Sequence, residues 1–218
     1  MNINRTEHTY LYVIYSITLY IISQSQISDT MKEDSSEEYA EVDSGRSAEE
    51  RYEDYVSRLY KVSMQVMDKG YTSKYEEKIL EKKTSLGGHP DSGFDLFVPE
   101  DVVIPAGEIR VIDMKVKCAV YEMVNNRWIP SPYYLYPRSS VTKRGIMLAN
   151  SVGIIDCGYR GHLMTGFYNT KKEDVTILAG DRIAQICMPD LCPYYEVELA
   201  KELDITERNE GGFGSTGR

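Results

Sequence analysis

Several things this chain lacks narrow what it can be. It has four cysteines, Cys118, Cys157, Cys187 and Cys192, without paired zinc spacing, the last two straddling a proline. They read as thiols of a reducing compartment rather than a disulfide framework. Its three histidines, His8, His89 and His162, are far apart and match no metal motif. Basic charge is scarce: 25 Lys and Arg face 34 Asp and Glu, a net charge of -9. That argues against a duplex-DNA binder of the ordinary basic kind. No apolar run is long enough for a comfortable membrane span, which needs about 20 residues. There is one Trp but 18 Tyr, and 42% hydrophobic residues in 218 are enough for one good-sized domain plus an extension.

The acidity is concentrated in one place. Residues 28–55 hold eleven acids against Lys32, Arg46 and Arg51, a local charge of -8, so the remainder is nearly neutral. Such a segment reads as a solvated spacer. A nearly neutral body that binds a polyanion must do so through local arginines and a metal ion. Ahead of the spacer, residues 10–22 are uncharged and follow Arg5. Three readings stay open: a leader upstream of the biological start, a signal or anchor segment, or an ordered apolar arm. Membrane contact is expected only if this segment is retained; otherwise a cytoplasmic or nuclear location is expected.

Residues 1–46 are expected to be a disordered leader and linker. A helix is expected over 47–60, with Ser47 as N-cap, Glu50 as its capping-box partner, and Tyr52, Tyr55, Val56 and Leu59 on one side. Alternation over 61–66 suits a half-buried strand, and 75–83 a short surface helix. From Asp91 onward the apolar runs become short and β-branched, interrupted by Gly, Pro, Asp and Asn. Strands are expected at 102–104, 108–116, 117–122, 133–136, 146–148, 152–155, 162–168, 175–178, 182–188 and 195–199. Many short strands at this spacing predict an all-β sandwich or barrel over 61–207.

Five polar or glycine-containing clusters punctuate that pattern. They are Asp91-Ser92-Gly93-Phe94-Asp95-Leu96; Pro137-Arg138-Ser139-Ser140-Val141-Thr142-Lys143; Ala149 to Gly161, with Asn150, Asp156 and Tyr159; Gly180-Asp181-Arg182-Ile183-Ala184-Gln185; and the tail 208–218. The tail is too poor in apolar side chains to fold alone. Its glycines allow close approach to an anion, Arg208, Ser215 and Thr216 are donors suited to phosphate, and Phe213 offers a face for a base. Asp181 and Arg182 read as a structural ion pair. Singly each cluster is weak, since Arg-Ser-Ser can be a loop and an aspartate after a strand can cap a turn.

Together and in this order they resemble the five motifs of the trimeric dUTPase family, over roughly Asp91 to Gly217. The resemblance implies a jelly-roll-like, distorted β-barrel domain, with an N-terminal extension carrying one or two short helices outside the family's core. It also implies Mg²⁺-dependent hydrolysis of dUTP to dUMP and pyrophosphate, which limits uracil in DNA and supplies dUMP for thymidylate synthesis. Asp156 would be the general base that directs water at the α-phosphorus. Arg138, Ser139, Ser140 and Gln185 would bind phosphate oxygens, and Asp95 would hold Mg²⁺ through its water shell. The residues 162–168 are expected to return as the hairpin partner of 152–155. That hairpin would read the uracil edge through the Asn150 amide and the backbone of Gly153 and Ile155, with Tyr159 against the deoxyribose. Phe213 would stack on uracil while Arg208, Gly214, Ser215 and Thr216 close over the phosphates. The resemblance further implies a homotrimer with shared sites. Ser140 and Asn209 stand where relatives often carry glycine. A dCTP deaminase of the same fold and a non-catalytic binding protein are the alternatives.

Overall fold

The protein is described here by a computed structural model, covering residues 59–84, 90–193 and 195–211. Residues 47–58 of the helix expected over 47–60, and the tail residues Phe213, Gly214, Ser215 and Thr216, lie outside the described residues; Tyr60, the expected helix end, is instead the first residue of a strand. The described residues all fall in one compact unit. The all-β expectation holds: thirteen strands carry the described chain, with two helices and one 3-10 turn beside them.

Four sheets are formed. In the first, β1 (Tyr60–Val66) lies between β13 (Tyr195–Leu199), to which it is parallel, and β5 (Val116–Val124), to which it is antiparallel; β6 (Arg127–Ser131) follows β5. In the second, β10 (Met164–Asn169) lies between β4 (Ile109–Asp113) and β8 (Ile146–Leu148). The third pairs β3 (Val102–Ile104) with β11 (Val175–Ile177). The fourth runs β2 (Gly93–Phe97), β12 (Arg182–Cys187), β7 (Tyr133–Pro137), β9 (Gly153–Ile155). Phe94, Leu96, Leu135, Ile183 and Ile186 of this last sheet are at most 2% exposed. Each contributes about 1.5–3 kcal/mol by burial, which makes the sheet a stiff platform for whatever its ends carry.

Three departures from the sequence pattern have local causes. The run 108–116 is two strands in different sheets. Lys115 sits at φ 52, with its N–H donating to Asp113 Oδ1 at 2.8 Å, and this Asx turn separates β4 from β5. Strand β6 was not anticipated because Pro130 interrupts the apolar pattern. The adjacent Asn125 and Asn126, at φ 49 and 59, form the two-residue loop that a β5–β6 hairpin requires. The expected hairpin of 152–155 with 162–168 does not form. Instead β9 pairs with β7, and β10 pairs with β4 and β8. Leu163 is drawn to β5 by a bond from its N–H to Val116 O at 2.9 Å, so the chain crosses between sheets instead of doubling back.

Helix α1 (Thr72–Thr84) lies along the outer edge of β2. Tyr75 is buried, accepts the Phe97 N–H at 3.0 Å, and packs edge-on against Phe97 with ring centroids 5.0 Å apart. This covers an edge strand that would otherwise present an unpaired donor. The four-residue helix α2 (Val141–Arg144) follows β7 and ends at Gly145, whose φ of 72 is the usual left-handed stop.

Candidate active site

The ends of the fourth sheet carry most of the singled-out residues. Across β2 and β12, Asp95 is paired in register with Gln185. Arg138 leaves the end of β7, anchored by its N–H to Ile183 O at 3.0 Å. A cationic cluster results. Asp95, 6% exposed, receives Arg138 Nε on Oδ1 at 2.9 Å, Arg182 Nη1 on Oδ2 at 3.1 Å, and Lys78 Nζ of α1 on Oδ2 at 3.4 Å. Gln185 Nε2 donates to Pro137 O at 3.2 Å, and its amide leans over Gly93. A Cβ on Gly93 would stand 2.0 Å from Gln185 Oε1, so any side chain there would push the amide away. Asp95, Arg138 and Gln185 are thus brought together, with Ser139 and Ser140 exposed just beyond. Ser140 has φ -65 and ψ -18, a conformation open to any residue, so serine costs nothing in place of glycine.

Arg182 and Asp181 are not a pair. Successive residues at a strand's start point to opposite faces: Arg182 goes to Asp95, whereas Asp181 receives Arg144 Nη2 at 2.9 Å and the Leu178 N–H at 2.8 Å. Arg144 holds the Asp181 carboxyl below the usual carboxylate range, with burial opposing it.

The second group lies around β9. Gly153 is required by close packing, since a Cβ would meet Leu135 Cβ at 3.0 Å. No strand pairs with the outer edge of β9 among the described residues. The strand leads directly into Asp156, which is exposed and ion-paired with Arg208. The Tyr159 N–H donates to Asp156 O at 3.0 Å, and its hydroxyl donates to His162 O at 2.9 Å, closing a compact turn. Burial raises the Tyr159 phenol, as does nearby Glu210. Asn150 is exposed and its carbonyl accepts the Val152 N–H at 2.7 Å.

Arg160 was missed by sequence reasoning. It is 3% exposed and bonds Asp204 through Nε (3.0 Å) and Nη2 (3.3 Å), and Cys157 O and Tyr159 O through Nη1 (both 2.8 Å). Its backbone N–H donates to Asn209 O at 2.7 Å. Thr206 Oγ1 donates to Gly158 O, and Lys117 pairs with Glu210. The segment 204–210 is therefore docked on the Asp156 turn, which puts Arg208 on Asp156. Asn209 has φ 45, the left-handed region, where asparagine is tolerated best after glycine.

No three His, Cys, Asp or Glu side chains among the described residues cluster to ligate a metal. Asp95, expected to hold Mg²⁺ through its water shell, carries three cationic partners, Arg138, Arg182 and Lys78.

A sequence model of the dUTPase family matches residues 82–217. The deoxyuridine 5'-triphosphate nucleotidohydrolase of Debaryomyces hansenii is 36% identical over 129 residues, covering 58% of this chain and 75% of the relative. That of Paramecium bursaria Chlorella virus 1 is 36% identical over 148 residues, covering 65% and 95%. The crystal structure of dUTPase from Streptococcus mutans is 34% identical, covers 44% of this chain and 75% of that one, and superposes with a TM-score of 0.38. With its motifs in order and the family match spanning well over half of its length, the chain belongs to the dUTPase family.

Proposed function

We propose that this enzyme hydrolyses Mg·dUTP to dUMP and pyrophosphate, with the magnesium entering as part of the chelated substrate. The observation that carries the reading is the position of β9, whose outer edge is unpaired among the described residues and which runs straight into an exposed carboxylate. Uracil presents acceptor, donor and acceptor along one edge, which the backbone of Gly153 and Ile155 and the Asn150 amide can complement. Cytosine reverses two of those groups, at N3 and at position 4, and would leave polar atoms unpaired, which discriminates strongly. Tyr159 packs against the deoxyribose.

In the chemical step, Asp156 orients a water and accepts its proton as the water oxygen bonds to the α-phosphorus. The bond from that phosphorus to the bridging oxygen breaks, and the electron pair leaves with pyrophosphate. Arg138, Ser139, Ser140 and Gln185 hold the phosphate oxygens and stabilise their charge. Asp95 acts as the anchor that fixes Arg138. Arg208 is ion-paired with Asp156, and its transfer to the triphosphate would release the base. Phe213, Gly214, Ser215 and Thr216 then close over uracil and phosphates.

Two observations support a homotrimer with shared sites. Ile155 is level with Tyr133 at the start of β7, whereas Arg138 follows Pro137 at its end. At about 3.3 Å per residue, Asp156 and Arg138 of one chain stand roughly 20 Å apart, too far to serve one triphosphate. They can meet on it only from different subunits. In addition, Ile109, Val111, Met147 and Tyr168 are exposed on one face of β4, β10 and β8, at 58, 53, 51 and 36%. Gly166 lies flat among Ile109, Val111 and Ala149. An apolar face of this kind marks an interface.

Pyrophosphate release assayed across the four dNTPs, dUTP and UTP tests the function. Release from dUTP alone is expected; equal release from dCTP or UTP, or none from dUTP, refutes it. Sedimentation at three times the 24.9 kDa chain mass tests the trimer.

A further inference from the structure

Helix α1 stands mostly upstream of the stretch that matches the family, which begins at residue 82. It nevertheless sends a side chain into the cationic cluster. Tyr75, Lys78 and Lys82, three and four residues apart, form one face of the helix. Tyr75 meets β2, as described above. Lys82 Nζ donates to Pro193 O at 3.1 Å and Asp91 O at 3.3 Å, and lies 3.7 Å from the Tyr195 ring centroid. These two contacts dock the helix.

Lys78, between them, does something else. Its ammonium passes 5.5 Å from the Phe94 ring centroid and ends on Asp95, which already has two guanidinium partners. One cation would neutralise that carboxylate. Three leave the group with a net charge of +2 in a protein whose sequence carries -9. Packed like charges repel, so the arrangement favours the arrival of an anion.

We infer that Lys78 is a positioning residue for the triphosphate. Lys78 and Arg182 share Asp95 Oδ2, while Arg138 approaches Oδ1 through Nε. Both terminal amino groups of Arg138 then stay without a partner among the described residues, a fork open to phosphate oxygens. The Lys78 charge adds to the field at those oxygens without needing to touch them. This inference rests on the reading of Arg138 as a phosphate ligand.

The test compares Lys78→Met, which keeps the aliphatic stem over Phe94, with Lys78→Arg and with Lys83→Met, an equal charge change elsewhere on α1. Lys78→Met is expected to raise the KM for dUTP roughly tenfold, with kcat within about twofold. Lys78→Arg is expected to restore KM, and Lys83→Met to leave it unchanged. The KM of the Lys78→Met enzyme should also respond less steeply to salt. Calorimetric titration with pyrophosphate reads the same loss without turnover; there the Kd should rise by a similar factor. A KM and Kd equal to those of the Lys83→Met enzyme overturn the inference. So does a loss confined to kcat and accompanied by a lowered melting temperature, which marks a purely structural role. If Lys78→Met does not fold, Lys78→Gln gives the same comparison. If the wild type binds pyrophosphate more tightly than the Lys78 variant yet does not hydrolyse dUTP, the proposed function fails and the role of Lys78 stands.

Discussion

Replacing Arg160 by methionine should loosen the protein and its catalytic turn together. The guanidinium is almost fully buried and makes four hydrogen bonds, two to the Asp204 carboxylate and two to the carbonyls of Cys157 and Tyr159. Methionine fills much of the volume but donates nothing. The two carbonyls lose a donor, at about 1–3 kcal/mol each if they stay dry. Asp204 is 48% exposed and keeps the Tyr121 hydroxyl at 2.6 Å, so water recovers much of its share and about 1 kcal/mol remains. The sum is roughly 3–7 kcal/mol, which in a chain of this size lowers Tm by about 10 °C or more. Because the Arg160 side chain ties Asp204 to the carbonyls of Cys157 and Tyr159 on either side of the Asp156 turn's end, kcat should fall about tenfold or more at temperatures where the variant is folded. Arg160→Lys keeps the charge without the fork and should recover less than half of either loss. Calorimetric melting and steady-state kinetics on the three proteins measure both. A Tm within about 2 °C of wild type, with unchanged kcat, refutes the reasoning.

Asp156→Asn should lower kcat by about 10²–10⁴ while dUTP binds no more weakly, since the change also releases Arg208 from its ion pair; equal turnover would remove Asp156 as the base. Deleting residues 208–218 should leave the fold and assembly intact with near-zero turnover, and full speed in the truncated enzyme refutes the closing tail. Burial lowers the Lys82 ammonium to about 8. Between about pH 8 and the ordinary lysine value near 10.5 the unfolded chain holds more protons, so stability rises with pH through that window. Denaturant unfolding should show wild type gaining up to about 3 kcal/mol on Lys82→Met between pH 8 and 10.5, and parallel curves would show Lys82 to be untroubled by burial. Chelation by EDTA should abolish turnover and Mg²⁺ should restore it; persistent activity would remove the metal from the substrate complex.

What the sequence made legible was local. Short β-branched runs such as 146–148 and 195–199 mark strands because alternation and turn residues are encoded within a few positions. Strand β2 hid inside Ser92-Gly93-Phe94-Asp95, whose polar residues belong to a site and so break the apolar pattern. The failed hairpin shows the limit. Nearness in sequence favoured pairing 152–155 with 162–168, but the carboxylate partner of buried Arg160 is Asp204, 44 residues later. The fate of Asp181 and Arg182 has the same cause, since Arg144 and Asp95 are remote in sequence. No pattern in residues 72–84 signals that Lys78 reaches Asp95, because helical spacing gives a face and not what it faces. The grouping of the motifs was readable through family order, whereas the separation of Asp156 from Arg138 along β7 needed the strand register.

Hydrolysis of dUTP in ¹⁸O-enriched water, followed by mass analysis of both products, tests the attack directed by Asp156. The account predicts one labelled oxygen in dUMP and none in pyrophosphate; label in pyrophosphate would place the attack on the β-phosphorus and contradict it.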